Sequence, residues 1–208
     1  EYIRKYSPDH ARFITPIISP MLAHAKILKQ LYGEDVKIVF AGPCICKKLE
    51  ADYFNNLVDV VITFKDLKKW FEQSDINLKN IAPNQPEARF VPYRSGLGAY
   101  YPIEGGMLKG MQEGKKQIHH MAFSELSTVK DVLKELDSHR ENDSIFLELL
   151  ACKGGCINGP AKLSHISPAL KRYEIIHQSE LGNPKDDFKN IDLQILFCKD
   201  PHVQDHTY

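Results

Sequence analysis

The chain has 208 residues, of which 43% are hydrophobic and 26% charged, an ordinary composition for a folded globular protein. Its 27 basic and 27 acidic side chains balance, so the charge favours neither a nucleic-acid-binding nor a membrane-surface protein. The sequence contains no run of about eighteen apolar residues, the length needed to span a bilayer. We therefore expect no nucleic-acid or membrane partner and a protein that binds something compact.

The amino end begins with Glu1 and the segment EYIRKY, which is typical of an amphipathic helix start. No charged segment followed by an apolar one precedes it, so a secretory signal is not indicated. We expect a cytoplasmic protein and a chain that is a piece of a longer one.

The first half of the chain alternates helices with strands. Ser19-Pro20 is typical of a helix start, because serine caps a helix and proline suits its first turn. The run VKIVFAGP at 36–43 predicts a buried strand that stops at Gly-Pro, and LVDVVITF at 57–64 predicts a second strand. A strand-helix-strand order favours a parallel sheet covered by helices.

A second helix and a long connection follow. Thr63 and Asp66 have the spacing of a capping box for a helix after the second strand. Residues 75–100 are rich in proline, asparagine and other polar residues, and they predict a connection. The segment YYPIEGGMLKGMQEG at 100–114 predicts a helix preceded by two glycines.

The second half repeats this rhythm with different residues. Strands are predicted at 116–123 and 144–152, with a helix at 127–137 between them. A Ser-Pro pair at 167–168 predicts a further helix, and the tail from 183 onward reads as polar and irregular. The pattern predicts an α/β protein of two lobes, each with a small, mainly parallel sheet flanked by helices.

Five cysteines remain to be explained: Cys44, Cys46, Cys152, Cys156 and Cys198. An odd number in a chain without a signal fits a reducing compartment, where clustered thiols hold metal or perform redox chemistry. The pairs lack the usual Cys-x2-Cys spacing of structural zinc sites, although an inert buried pair, a chance pair and a zinc half-site all stay open. Because the first and third of these cysteines follow predicted strands, we expect the two pairs to converge at the carboxyl ends of the sheets.

Two motifs resemble the catalytic domain of the iron-only (di-iron) hydrogenases. That family has a Pro-Cys-x-x-Lys motif with an acidic residue three positions later, and a Glu-x-x-Ala-Cys-x-x-Gly-Cys-x-x-Gly motif. In this chain GPCICKKLEAD and ELLACKGGCING supply the matching residues, which are Pro43, Cys44, Lys47, Glu50, Glu148, Ala151, Cys152, Gly155, Cys156 and Gly159.

The resemblance implies an iron–sulfur site between the two lobes, residues 1–115 and 116–208. Cys44, Cys152 and Cys156 would be metal ligands of a four-iron, four-sulfur cluster, the last of them also bridging to a di-iron subcluster. Lys47 would be the catalytic-site residue that hydrogen-bonds a cyanide of that subcluster. The remaining residues that would line the cofactor are Pro43, Gly155 and Gly159. The reaction implied for the intact protein is the reversible conversion of protons and electrons to hydrogen.

Departures from the family motifs refine this expectation. The family's first cysteine motif, which carries a fourth ligand and a proton donor, is absent, so the piece is expected to be inactive, and whether it holds metal stays open. Gly42, Leu150 and Pro160-Ala161 replace usual family residues and resemble the sensory branch. Expected partners are ferredoxin-like domains upstream, a sensor domain downstream and maturation enzymes. The alternatives are a non-catalytic iron–sulfur binding or assembly module and a structural zinc module, and the role of Cys46 stays open.

Overall fold

The computed structural model of the chain describes residues 2–54, 56–81, 92, 95–111, 118–138, 144–163 and 165–180. The α-helices in these ranges are α1 (Tyr2–Tyr6), α2 (Pro20–Tyr32), α3 (Cys46–Tyr53), α4 (Phe64–Gln73), α5 (Leu126–Glu135) and α6 (Pro168–Glu180). The strands are β1 (Val39–Gly42), β2 (Val60–Thr63), β3 (His119–Ser124) and β4 (Ile145–Leu150). None of the described helices is long and apolar enough to cross a membrane.

The described strands form two separate two-stranded parallel sheets. In one, β1 pairs with β2, and α3 makes the crossover between them. In the other, β3 pairs with β4 across α5. Two parallel strands need such a crossover because the end of the first strand and the start of the second lie at opposite ends of the sheet. The predicted α/β class and the parallel sheets are confirmed.

The first sheet packs against α2 around an apolar core. The α2 residues of this core recur at helical spacing, which places them on one face of the helix. Burying a Met, Leu, Ile or Val side chain in such a core contributes about 1.5–3 kcal/mol. The buried members are Met21, Leu22, Ala25, Ile38, Ala51, Val58 and Val61.

The predicted helix caps are confirmed at two places. Ser19 precedes α2, and its Oγ accepts a hydrogen bond from the Leu22 amide at 3.5 Å. Thr63 and Asp66 form a reciprocal capping box at the start of α4, because each side chain accepts from the other residue's backbone N–H. These caps satisfy amides that have no partner within the helix.

The predicted helix at 100–114 is wrong for the residues that are described there. Residues 101–107 form turns and Leu108–Gly110 forms a single 3-10 turn, while 112–114 lie outside the described residues. The reason is tertiary, because three amides of this segment, those of Leu108, Met107 and Gly105, lie near the buried carboxyl of Glu148 in β4 and act to lower its pKa. The two glycines therefore lie within a turn that packs against a side chain and do not start a helix.

The last described helix begins at Pro168, as the Ser-Pro pair predicts. Two of its apolar residues are mainly exposed, since Leu170 is 57% exposed and Tyr173 is 65% exposed. Lys171 is buried instead, and its ammonium group donates to the Ile157 carbonyl at 3.5 Å. The expected irregular tail with Cys198 and the boundary between 115 and 116 lie outside the described residues.

Candidate metal centre

Two loops at the carboxyl ends of strands carry the four described cysteines. The first loop follows β1 and contains Cys44, and α3 begins at Cys46. The second loop follows β4 and contains Cys152, while Cys156 opens a short 3-10 turn. All four cysteines are free thiols.

The two loops are in direct backbone contact. The Ala161 amide donates a hydrogen bond to the Pro43 carbonyl at 3.1 Å. A Cβ atom on Gly159 would lie only 2.4 Å from the same carbonyl oxygen, so the close approach requires glycine at that position. Loops separated by about a hundred residues in sequence are thereby held together next to their cysteines.

The thiols of both loops influence one another electrostatically. Burial, followed by the charges of Cys44 and Cys152, raises the pKa of Cys156. Burial, followed by Cys44 and Cys46, raises the pKa of Cys152. Burial, followed by the charge of Cys44 and a hydrogen bond to it, raises the pKa of Cys46. Thiols of both loops therefore influence one another's protonation, and thiolates in such a neighbourhood repel one another unless a positive group lies among them.

Lys47 lies beside this site. Its side chain is only 22% exposed and forms an ion pair with Glu50 one turn along α3. Its positive charge partly offsets the effects that raise the pKa of Cys156, so the ammonium group is close to that thiol. Lys47 is therefore a partly buried cation at the cysteine site rather than a solvated surface lysine.

Gly155 allows the second loop to pack against the segment before the 105–108 turn. Its φ of +106° is in the region that favours glycine, and a Cβ atom there would lie 2.4 Å from the Pro102 carbonyl oxygen. The Ile157 amide donates to that carbonyl at 3.1 Å, and the Glu104 amide donates to the Gly154 carbonyl at 3.2 Å. These two hydrogen bonds fix the position of the backbone on both sides of Gly155.

Sequence reasoning missed two residues that hold this loop, Glu104 and Ser124. The Gly154 amide donates to Ser124 Oγ at 2.8 Å, and Ser124 in turn donates to the Glu104 carboxylate. Arg172 in α6 donates to the Glu104 carbonyl at 3.0 Å. Ser124 could have been found because it ends β3 at the same sheet edge as the cysteines, whereas Glu104 has no comparable signal.

Glu148, the first residue of the second motif, lies in β4, the strand that leads into the second cysteine loop. Its side chain is almost fully buried, with 1% of the residue exposed, and burial raises its pKa despite the three nearby amides that act to lower it. One carboxyl oxygen, Oε2, has no hydrogen-bond partner among the described residues. Glu148 therefore joins β4 to the 105–108 turn.

The thiols and their neighbours can be compared with the ligands that zinc and a four-iron cluster require. Among the described residues, no three His, Cys, Asp or Glu side chains lie close enough to hold one metal ion. In a four-iron cluster each cysteine binds a different iron, so the thiols surround a larger body. Soft thiolates, a neighbouring ammonium group and glycines that admit close backbone approach fit such a cluster.

A comparison of the sequence with known protein families identifies the family to which this chain belongs. The sequence profile described as "Iron only hydrogenase large subunit, C-terminal domain" matches residues 1–160. The chain belongs to this family. The match includes both cysteine motifs, and it confirms the resemblance drawn from them.

Two curated relatives share about a quarter of their aligned residues with the chain. "Iron hydrogenase 1" of Clostridium pasteurianum is 24% identical over 242 residues, which cover 95% of this chain and 40% of the relative. A "Probable cytosolic Fe-S cluster assembly factor" of Drosophila mojavensis is 25% identical over 236 residues, covering 84% of this chain and 50% of that protein. The chain thus spans half or less of the length of these two relatives.

Solved structures similar to this chain include hydrogenases. A variant of FeFe-hydrogenase HydA1 from Chlamydomonas reinhardtii superposes with a TM-score of 0.59 and 16% identity, over 84% of this chain and 63% of that one. A structure that reports stepwise H-cluster assembly in HydA(deltaEFG) gives a TM-score of 0.58 and 18% identity, over 84% and 62% of the two chains. At this identity the likeness shows the fold alone.

Proposed function

We propose that this chain is the cluster-binding part of an iron-only hydrogenase. In this proposal Cys44, Cys152 and Cys156 ligate a four-iron, four-sulfur cluster between the two sheet units. The observation that carries it is the contact between the two cysteine loops at Pro43 and Gly159, which brings together thiols from both units. The intact protein would interconvert hydrogen with protons and electrons.

Each site residue has a part in this proposal that its surroundings support. The three thiolates supply soft ligands, and Cys156 would also bridge to the di-iron subcluster. Lys47 would donate a charge-assisted hydrogen bond to an anionic ligand of the subcluster, a contact of about 1.5–3 kcal/mol when buried. Pro43, Gly155 and Gly159 let the backbone approach the cluster. The bound metal would supply the hydrogen chemistry, while the chain supplies ligands, charge and shape.

We further propose a sensory role and a cytoplasmic location. The residues that support the sensory role are Gly42, Leu150 and Pro160-Ala161, which depart from the usual family motifs around the cluster. Ferredoxin-like domains upstream would deliver electrons, a downstream domain would respond to the redox state, and maturation enzymes would install the subcluster.

A non-catalytic iron–sulfur module is the second candidate. The similarity to a protein named as a cytosolic Fe-S cluster assembly factor supports it. Lys47 favours the hydrogenase, because a partly buried ammonium group beside Cys156 suits an anionic iron ligand that a module holding only a cubane lacks. Infrared bands of iron-bound carbon monoxide and cyanide after maturation would distinguish the two candidates.

The decisive experiment measures iron, sulfide and zinc after anaerobic reconstitution, together with electron paramagnetic resonance of the reduced protein. Four variants are compared with the unaltered chain: Cys44→Ser, Cys152→Ser, Cys156→Ser and the control Cys198→Ser. We expect a cubane signal that the first three substitutions weaken severalfold and the control leaves unchanged. Stoichiometric zinc without iron, or iron that is indifferent to all four substitutions, would overturn the proposal.

A further inference from the structure

Glu104 uses its amide, its carbonyl and its carboxylate to form hydrogen bonds around the second cysteine loop. The amide donates to the Gly154 carbonyl at 3.2 Å, and the carbonyl accepts from Arg172 of α6 at 3.0 Å. The carboxylate accepts from the Ser124 hydroxyl, which itself accepts from the Gly154 amide at 2.8 Å. Both backbone polar groups of Gly154 are therefore held by Glu104, one directly and one through Ser124.

We infer that Glu104 is a positioning residue of the proposed cluster site, which holds the turn between Cys152 and Cys156 in one conformation before metal binds. It acts through Ser124 on the Gly154 amide and is not itself a ligand. This inference rests on the proposed function, since the two cysteines that it positions are ligands of the proposed cluster.

The turn contains two adjacent glycines, which is why it needs support from outside. Gly154 and Gly155 have φ values of +72° and +106°, a region that glycine populates about as readily as negative φ. Within the turn the Gly155 amide donates to the Cys152 carbonyl at 2.9 Å, whereas Gly154 finds its partners in other segments. Glycine loses more freedom on ordering than any other residue, so a metal that had to order this turn would bind less tightly. Hydrogen bonds that order the turn in the metal-free chain remove part of that cost.

The side chain of Glu104 contributes by orienting the Ser124 hydroxyl. A hydroxyl has one proton and two lone pairs, so a proton held by the carboxylate leaves a lone pair directed at the Gly154 amide. An ionised acceptor also strengthens the chain of hydrogen bonds that it ends. The two backbone hydrogen bonds of Glu104 do not depend on its side chain, so a substitution there removes only the connection through Ser124.

The test compares Glu104→Ala, Ser124→Ala and the conservative Glu104→Gln in the 208-residue chain. The readouts are hydrogen exchange of the Gly154 amide in the metal-free chain, followed by nuclear magnetic resonance, and the iron that the reconstituted chain retains against a chelator. We expect both alanine variants to exchange about three- to tenfold faster at Gly154, because its hydrogen bond is lost or weakened, and to retain correspondingly less iron. Glu104→Gln should stay close to the unaltered chain, because its amide oxygen still accepts from Ser124.

The matched control is Glu125→Ala. Glu125 also reaches the second cysteine loop, through an ion pair with Lys153 at 3.3 Å, but its side chain is 46% exposed and that of Lys153 is 76% exposed. Exposed ion pairs contribute little, so the control should leave both readouts unchanged. Urea unfolding of each variant distinguishes a local effect at Gly154 from a general loss of stability.

Each other outcome has a distinct meaning. Unchanged exchange at Gly154 in both alanine variants would overturn the inference, as would a Glu104→Gln variant that behaves like Glu104→Ala. Iron retention that falls only in proportion to global stability would also overturn it, because the role would then be structural alone. If the unaltered chain forms no iron–sulfur cluster, the proposed function fails and the inference fails with it. If it forms one that every variant retains equally, the inference alone fails.

Discussion

At the scale of single residues, two adjacent lysines of α3 have different surroundings. Lys47 is partly buried beside Cys156 and paired with Glu50, whereas Lys48 is half exposed and lies 3.6 Å from Asp66. The Pro-Cys-x-x-Lys motif identifies Lys47 because the motif fixes the spacing between Cys44 and the lysine. Its burial and its proximity to Cys156 come from the packing of the two loops, which no local pattern encodes.

We predict that Lys47→Met slows alkylation of Cys156 in the metal-free chain. Removing the cation raises the pKa of Cys156 further, and the thiolate is the reactive form. Near neutral pH the rate should fall by roughly two- to threefold. The rate is measured by mass spectrometry of iodoacetamide-treated protein, with Lys48→Met as the matched control. Equal rates in the two variants would contradict the placement of Lys47.

Two glycines of the cysteine loop should tolerate no side chain. Gly155→Ala would place Cβ 2.4 Å from the Pro102 carbonyl oxygen at a positive φ, and Gly159→Ala would place it 2.4 Å from the Pro43 carbonyl oxygen. We expect each to lower the free energy of unfolding by about 2–4 kcal/mol, as strain and overpacking add. Gly110→Ala is the control, because nothing lies within 4 Å of its Cβ.

The measurement for this glycine set is urea unfolding followed by circular dichroism. If the two loop variants match the control, then the loops do not approach as closely as the structure shows. Iron loading of the loop variants should fall together with their stability, since the same contacts hold the thiols.

At the scale of elements, local signals account for the caps but not for the segment after Tyr100. Ser19 and the Thr63–Asp66 pair act on their own helices, so sequence spacing is enough to predict them. The 105–108 segment has the glycines of a helix start, yet its amides lie near the buried carboxyl of Glu148 from a distant strand. A pattern confined to one segment cannot anticipate a buried side chain that arrives from another.

The capping box predicts an acid-dependent contribution from α4. The Thr63 amide and hydroxyl hold the pKa of Asp66 below its ordinary value, so its stabilisation is present above the unfolded pKa of about 3.9 and disappears as the pH falls through the folded pKa. Asp66→Asn should therefore be less stable than the unaltered chain near neutral pH and should converge with it in acid. Urea unfolding at a series of pH values measures the difference, and a gap that persists in strong acid would contradict the prediction.

The buried carboxyl of Glu148 predicts the opposite trend. Because burial raises its folded pKa, its stabilisation relative to a neutral residue is complete below the unfolded pKa of about 4.3 and declines as the pH rises through the folded value. Against Glu148→Gln, the unaltered chain should therefore gain relative stability as the pH falls from neutral towards 4.3. The same urea series tests this, and a relative stability that increases with pH would contradict it.

Truncation at this position separates the effect of the polar side chain from that of its charge. Glu148→Ala removes the polar group that lies near the amides of the 105–108 turn and creates a buried void. We expect a loss of at least about 2 kcal/mol in the free energy of unfolding. Glu148→Gln should lose less, because it keeps the volume and a polar oxygen near those amides.

At the scale of the whole molecule, two strand-helix-strand units meet at their cysteine loops. Their existence follows from strand runs and helix periodicity, and the placement of Cys44 and Cys152 after strands follows from the same reading. The contact through Pro43, Gly159 and Ala161 does not, because it depends on how two distant units dock. The motifs predict which cysteines belong to one site, but they do not predict the backbone contacts that bring the two loops together.

A ligand that binds thiols of both loops stabilises only the state in which both units are docked. Binding to the folded state alone adds RT ln(1 + [L]/Kd), about 2.7 kcal/mol when the free ligand is a hundredfold above Kd. We therefore predict that the reconstituted chain melts at a higher temperature than the metal-free chain, and that iron chelation under anaerobic conditions reverses the gain. Cys44→Ser and Cys156→Ser should each abolish most of the increase although they lie in different units, whereas Cys198→Ser should retain it. An increase that survives loss of either loop's ligand would place the metal on one unit alone, and the docked loops would then have a purely structural purpose.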